Sequence, residues 1–188
     1  MNDWIWVLRT DSVGKVTWSR GYSGCGSFYP HSSCIRETSD GGYIVVGGNG
    51  DPAGWRGMYL LRLNSDGDKI WIKSYENVHG QSVLEASDGG FEVCCLGDAY
   101  KFDSEGDTVW HHCYGYGILN DIRLTNDGGY VMTGTEGYEG LWIVKADSEG
   151  YAHDREVSAT VILSLEVSYE DFSSASTVRG SEILGSRT

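Results

Sequence analysis

The chain has 188 residues, 40% hydrophobic and 12% aromatic, with 27 glycines, two prolines and a formal net charge of −13. That length and composition suit one turn-rich globular core and exclude a disordered or collagen-like chain. The acidic balance, without a basic cluster, argues against nucleic-acid binding. No apolar run approaches the roughly 18 to 20 residues that a spanning helix needs, so no membrane insertion is expected.

The first predicted strand runs from Trp4 to Thr10 and is apolar on both faces, with Trp4, Trp6 and Leu8 opposing Ile5 and Val7. Such a strand wants cover on both sides. It is already strand-like at Trp4, so the N-terminus does not read as a signal peptide, and no targeting signal is found in this chain. A turn follows at Asp11-Ser12-Val13-Gly14 and returns at Asn64-Ser65-Asp66-Gly67, Asp103-Ser104-Glu105-Gly106 and Asp147-Ser148-Glu149-Gly150. An Asp or Asn side chain can accept nearby backbone N–H groups while glycine takes a positive φ, so each turn is predicted to join two antiparallel strands. Arg9, Arg62, Lys101 and Lys145 each lie two residues ahead of a turn, and a local charge pair such as Arg9 with Asp11, Lys101 with Asp103 or Lys145 with Asp147 is expected. Trp18 and Tyr22, Trp71 and Tyr75, and Trp110 and Tyr114 follow the first three turns; the fourth copy lacks the pair. The tryptophans read as wedges between sheets.

A second turn marks the same repeat: Ser39-Asp40-Gly41-Gly42-Tyr43, Ser87-Asp88-Gly89-Gly90-Phe91 and Asn126-Asp127-Gly128-Gly129-Tyr130. The spacing of about 40 to 50 residues is that of propeller or solenoid units. Strands are predicted at Tyr43–Gly48, Met58–Leu63, Phe91–Leu96 and Leu141–Ala146. The most compact copy supplies four, Ser82–Ala86, Phe91–Leu96, Ala99–Phe102 and Thr108–Tyr114, which is the content of one propeller blade.

These residues resemble the Asp-Gly-Gly-Tyr propeller repeats of bacterial and archaeal surface or secreted proteins, loosely akin to Kelch and WD-type blades. The resemblance covers residues 3 to about 150 and implies an all-β propeller of four-stranded antiparallel blades, about 3.5 to 4 per chain. It also implies an extracellular or cell-surface location. Residues 1–150 form the repeats, 151–170 divergent closing or assembly strands, and 171–188 a mobile tail or assembly arm. A propeller must cover its end blades. Three solutions stay open: a four-bladed ring closed by the chain's own strands from Glu156 to Tyr169, one seven- or eight-bladed ring shared by two chains, or a piece of a longer protein.

The variable connections of a repeated scaffold are its usual binding sites. Asp51, Trp55 and Arg56, with Tyr138 and Glu139 and the segment Cys25 to His31, make up the expected interaction face. Cys25, His31 and Cys34 are the candidate metal ligands, for zinc, and Cys25 and Cys34 are close enough in sequence to bridge. Asn64 to Asp68 offers a weak calcium loop, although the turn itself accounts for its residues. His111 and Cys113 share one face of an outer strand and read as solvated or rim-packed side chains. No cofactor is expected beyond such weak calcium or zinc binding, and no catalytic motif is present. The function expected is a non-enzymatic module for self-assembly or for protein or glycan binding. The alternative is a hydrolase or lyase using acidic residues on one propeller face, which motif search would miss.

Overall fold

In the computed structural model the described residues are 4–24, 30–50, 56–136 and 140–152. They form thirteen strands and no helix: β1 (Ile5–Thr10), β2 (Val16–Tyr22), β3 (His31–Glu37), β4 (Tyr43–Gly50), β5 (Arg56–Leu63), β6 (Lys69–Glu76), β7 (Ser82–Glu85), β8 (Phe91–Cys94), β9 (Asp98–Phe102), β10 (Thr108–Cys113), β11 (Ile118–Leu124), β12 (Tyr130–Glu136) and β13 (Gly140–Ala146). Four antiparallel sheets follow in chain order: β1–β2, β3–β6, β7–β10 and β11–β13. Within each sheet every strand pairs with the next, as hairpin connections dictate. The divergent segment and the tail lie outside the described residues beyond Ala152.

The turns form as their chemistry requires. Asp11, Asn64, Asp103 and Asp147 each accept, through Oδ1, the N–H groups two and four residues on. Gly14, Gly67, Gly106 and Gly150 close these turns at φ between +78 and +84°. In the Asp-Gly-Gly turns the aspartate accepts the N–H of the second glycine: Gly42, Gly90 or Gly129. A Cβ on that glycine would overlap the carbonyl of Leu63, Phe102 or Ala146 across the sheet, so only glycine fits.

Period-two alternation makes every complete sheet apolar on both faces. The second sheet turns Val45, Tyr59, Leu61 and Leu63 toward Ile5, Val7 and Tyr22 of the first. It turns Ile44, Val46, Met58 and Leu60 toward Val83, Phe91, Val93 and Phe102 of the third. The third meets the fourth through Leu84, Cys94 and Ala99 against Leu119, Ile122, Met132, Trp142 and Val144. Consecutive sheets therefore stack face to face, and burial of these side chains is the main stabilising term.

The first sheet departs from the sequence expectation. Ile5 and Val7 are buried, but Trp4, Trp6 and Leu8 on the other face are exposed, so β1 is covered on one side only. The grouping into sheets of two, four, four and three strands among the described residues is the one the repeats lead to: a half unit, two full units and most of a third.

Candidate functional site

Two repeated contacts hold the array together, and the site is defined by where one of them breaks off. The first is a latch within each sheet. Arg62 Nη2 donates to Asp40 Oδ2 at 2.6 Å, Lys101 Nζ to Asp88 Oδ1 at 2.8 Å, and Lys145 Nζ lies 2.9 Å from Asp127 Oδ2. The cation on the third strand thus takes the aspartate of the Asp-Gly-Gly turn on the adjoining strand. This corrects the expected local pairs of Lys101 with Asp103 and Lys145 with Asp147: Asp103 and Asp147 instead spend Oδ1 on their own turns. The Arg62 guanidinium holds the Asp40 carboxyl well below the usual carboxylate range, helped by Thr38 and the Gly42 N–H. Arg62 and Lys101 are buried, so their charges need these partners.

The second contact is a clamp between sheets. Tyr22, Tyr75 and Tyr114 donate their hydroxyls to the carbonyls of Gly67, Gly106 and Gly150 in the next sheet, each at 2.6 Å. Four residues earlier, Trp18, Trp71 and Trp110 lie on the same glycines, 2.7 to 3.1 Å from where a Cβ would stand. Thr17, Ile70 and Val109 are the unpaired residues of bulges just ahead of these tryptophans, and a bulge re-aims the side chain that follows. Between Trp and Tyr, Arg20 pairs with Asp68 and Lys73 with Asp107. In the third junction His112 packs on Tyr151 instead, with ring centroids 4.5 Å apart. Asn64 and Asp68 of the candidate calcium loop are accordingly engaged with backbone N–H groups and with Arg20.

The first sheet carries the clamp but not the latch. Counting from the turns, Arg9 is the counterpart of Arg62, Lys101 and Lys145, yet the described residues place no Asp-Gly-Gly strand beside β1. Arg9 Nη1 donates to Ser65 O at 3.2 Å, and the guanidinium lies 6.0 Å from the centre of the Tyr43 ring. Arg62 lies over Phe91 in the same way. Trp6 and Leu8, counterparts of the fully buried Tyr59 and Leu61, are 68% and 44% exposed. Trp6 is held in place by an Nε1–H bond to Ser19 Oγ of 2.8 Å. Gly14 has open space where its three counterparts have a tryptophan. The result is a strand with one edge unpaired among the described residues, an exposed apolar face and an arginine that meets no carboxylate there.

Of the residues expected from sequence to bind, Asp51, Trp55, Tyr138 and Glu139 lie outside the described residues, and Arg56 opens β5. Cys25 also lies outside. His31 opens β3, and its Nε2 is 2.7 Å from His79 Nε2; Gln81 donates to His79 Nδ1 at 3.2 Å. The ring nitrogens of His31 and His79 thus bond each other. Cys34 carries a free thiol that accepts from Ser82 Oγ at 3.7 Å. No group of three metal-ligating side chains occurs among the described residues. His111 and Cys113 are exposed, as expected, with His111 stacked on Tyr100 at 4.2 Å between centroids.

The latch was missed at sequence level because its partners are 13 to 22 residues apart, a separation that varies with loop length. The available signal was that every Asp-Gly-Gly turn precedes a strand ending in a basic residue, and that Arg9 alone has no such turn before it.

No family model and no curated protein matches this chain. A crystal structure of a protein of unknown function from Bacteroides caccae is similar in fold, with a TM-score of 0.56 at 10% identity. The match covers 77% of this chain and 51% of the other, so the chain spans about half the length of that protein.

Proposed function

We propose that the chain is a non-enzymatic assembly module of propeller-type blades, acting at a cell surface and binding polypeptide through its open first sheet. The observation that carries this reading is the exposure of Trp6 and Leu8 at positions whose counterparts, Tyr59 and Leu61, are fully buried by a neighbouring sheet. With Trp4 beside them they form an exposed apolar patch on one face of β1, of the kind that marks protein interaction sites. Tryptophan and arginine, both present on β1, are among the residue types most enriched in interface hot spots.

Light scattering across a concentration series tests the reading, with the double variant Trp6→Glu, Leu8→Glu alongside the wild type. The wild type is expected to rise above the 20.6 kDa of one chain as concentration increases, while the variant stays at that mass. Equal association of the two would remove this face from the explanation. A wild type that remains at one chain up to about 1 mM, an affinity of roughly −4 kcal/mol, would exclude self-assembly through it.

A further inference from the structure

In three sheets the strand that precedes an Asp-x-x-Gly or Asn-x-x-Gly turn has the same neighbour on its other edge: a strand entered through an Asp-Gly-Gly-aromatic turn. Tyr43 stands opposite Leu63, Phe91 opposite Phe102 and Tyr130 opposite Ala146. The aspartate of the turn captures the cation one residue earlier on the facing strand, as Asp40 does Arg62, Asp88 does Lys101 and Asp127 does Lys145. β1 has the cation, Arg9, and the facing carbonyl, that of Thr10, but among the described residues no strand pairs with that edge and no carboxylate meets the guanidinium.

From this juxtaposition we infer that β1 is a docking edge for a β-hairpin of another polypeptide whose turn reads Asp-Gly-Gly-aromatic, and that Arg9 recognises its aspartate. The inference rests on the reading of the first sheet as a binding surface and names the partner's chemistry. The register follows from the other sheets: the aromatic stands opposite Thr10 and the strand runs antiparallel toward Ile5. Both glycines of the turn are needed. The first takes a φ of +78 to +84° in all three copies, and a Cβ on the second would overlap the facing carbonyl. Main-chain bonds along the edge give affinity and the charge-assisted bond to Arg9 gives selectivity.

Residues 1–188 hold no spare Asp-Gly-Gly turn. Their three Asp-Gly-Gly turns already complete the second, third and fourth sheets, and residues 153–188 contain no Asp-Gly-Gly sequence. A second copy would have to release one of its own hairpins to fill the edge.

The probe is a synthetic peptide of residues 118–135, which carries Asn126-Asp127-Gly128-Gly129-Tyr130, added to the full chain and read by amide hydrogen exchange of Ile5–Thr10. The peptide is expected to slow exchange along β1. Asp127→Asn in the peptide or Arg9→Gln in the chain should each weaken binding about tenfold, and the two together no further, as expected for one shared charge-assisted bond. Gly129→Ala in the peptide should abolish binding. A chimera with residues 118–139 placed directly ahead of Trp4, in the register those residues have ahead of Gly140, presents the hairpin at high effective concentration. It should protect β1 and raise Tm, with the gain reduced by Asp127→Asn in the added segment. Unprotected β1 amides in the chimera, or equal binding by the Asp127→Asn peptide, would overturn the inference. So would protection, in the dilute wild-type chain, of the β1 amides that point away from β2. Association that depends on Trp6 and Leu8 while the hairpin fails would leave the assembly reading standing; hairpin binding without such association would do the reverse.

Discussion

Glu92 on β8 is fully buried, at the position where the second sheet carries Ile44, and it faces the fourth sheet. Burial pushes its carboxyl up to about 7 from an ordinary 4.5; the nearby Tyr130 hydroxyl and the Lys101 ammonium, 3.3 Å away, offset this only in part. Neither carboxylate oxygen receives a hydrogen bond of good geometry, so the charged form is poorly compensated. The folded state therefore keeps this proton to higher pH than the unfolded chain does. The associated stability is fully present below pH 4.5 and is lost as pH rises through about 7. At roughly 1.4 kcal/mol per pH unit, the loss is about 3 kcal/mol, a large share of the stability of an ordinary domain. Glu92→Gln removes the titration and little else. Urea unfolding of both proteins at pH 4.5, 6 and 8 should show the variant gaining about 3 kcal/mol relative to wild type across that range. Subtracting one protein from the other cancels every other titrating group. A difference that stays constant within about 0.5 kcal/mol, the usual scatter of such comparisons, would refute the assignment of this carboxyl as buried and underpartnered.

Three further predictions probe the repeated contacts. Gly42→Ala should cost about 1 to 3 kcal/mol, because the new Cβ meets the Leu63 carbonyl, a backbone atom that cannot move aside. Gly14→Ala has open space and should cost only about 1 kcal/mol for its positive φ, so equal losses in urea titrations would contradict the geometry. Tyr75→Phe removes the bond to the Gly106 carbonyl between the second and third sheets and should cost about 1 kcal/mol in chemical denaturation; a neutral result would mean that packing of Trp71 alone holds that junction. Asp40→Asn should flatten the acid side of the stability profile. The Asp40 carboxyl is held low by Arg62, so its contribution is present above the ordinary value of 3.8 and disappears as pH falls below it. A variant that loses stability below pH 4 as steeply as wild type would exclude that role.

The part of this fold legible in sequence is the part governed by neighbours along the chain. An Asp or Asn side chain reaches the backbone two and four residues on, glycine alone accepts a positive φ cheaply, and a strand alternates with period two. Those rules suffice to place the hairpins around Asp11–Gly14 and Asn64–Gly67 and the boundaries of β9 and β10 to within a residue or two. They also identify Trp18, Trp71 and Trp110 as wedges. Tertiary structure alone decides which carboxylate each strand-end cation takes, since Asp103 and Asp88 are equally plausible for Lys101 until the adjoining strand brings Asp88 to 2.8 Å. It alone reveals that Tyr22, Tyr75 and Tyr114 reach a glycine carbonyl 31 to 45 residues away in the next sheet. Glu92 looked like any acid of a net-negative chain, because charge on a strand says nothing about which face a later sheet will cover. β1 illustrates the same limit from the other side. Its residues alternate as those of a strand packed on both faces, but burial belongs to pairs of surfaces, and the sequence of one surface does not contain its partner.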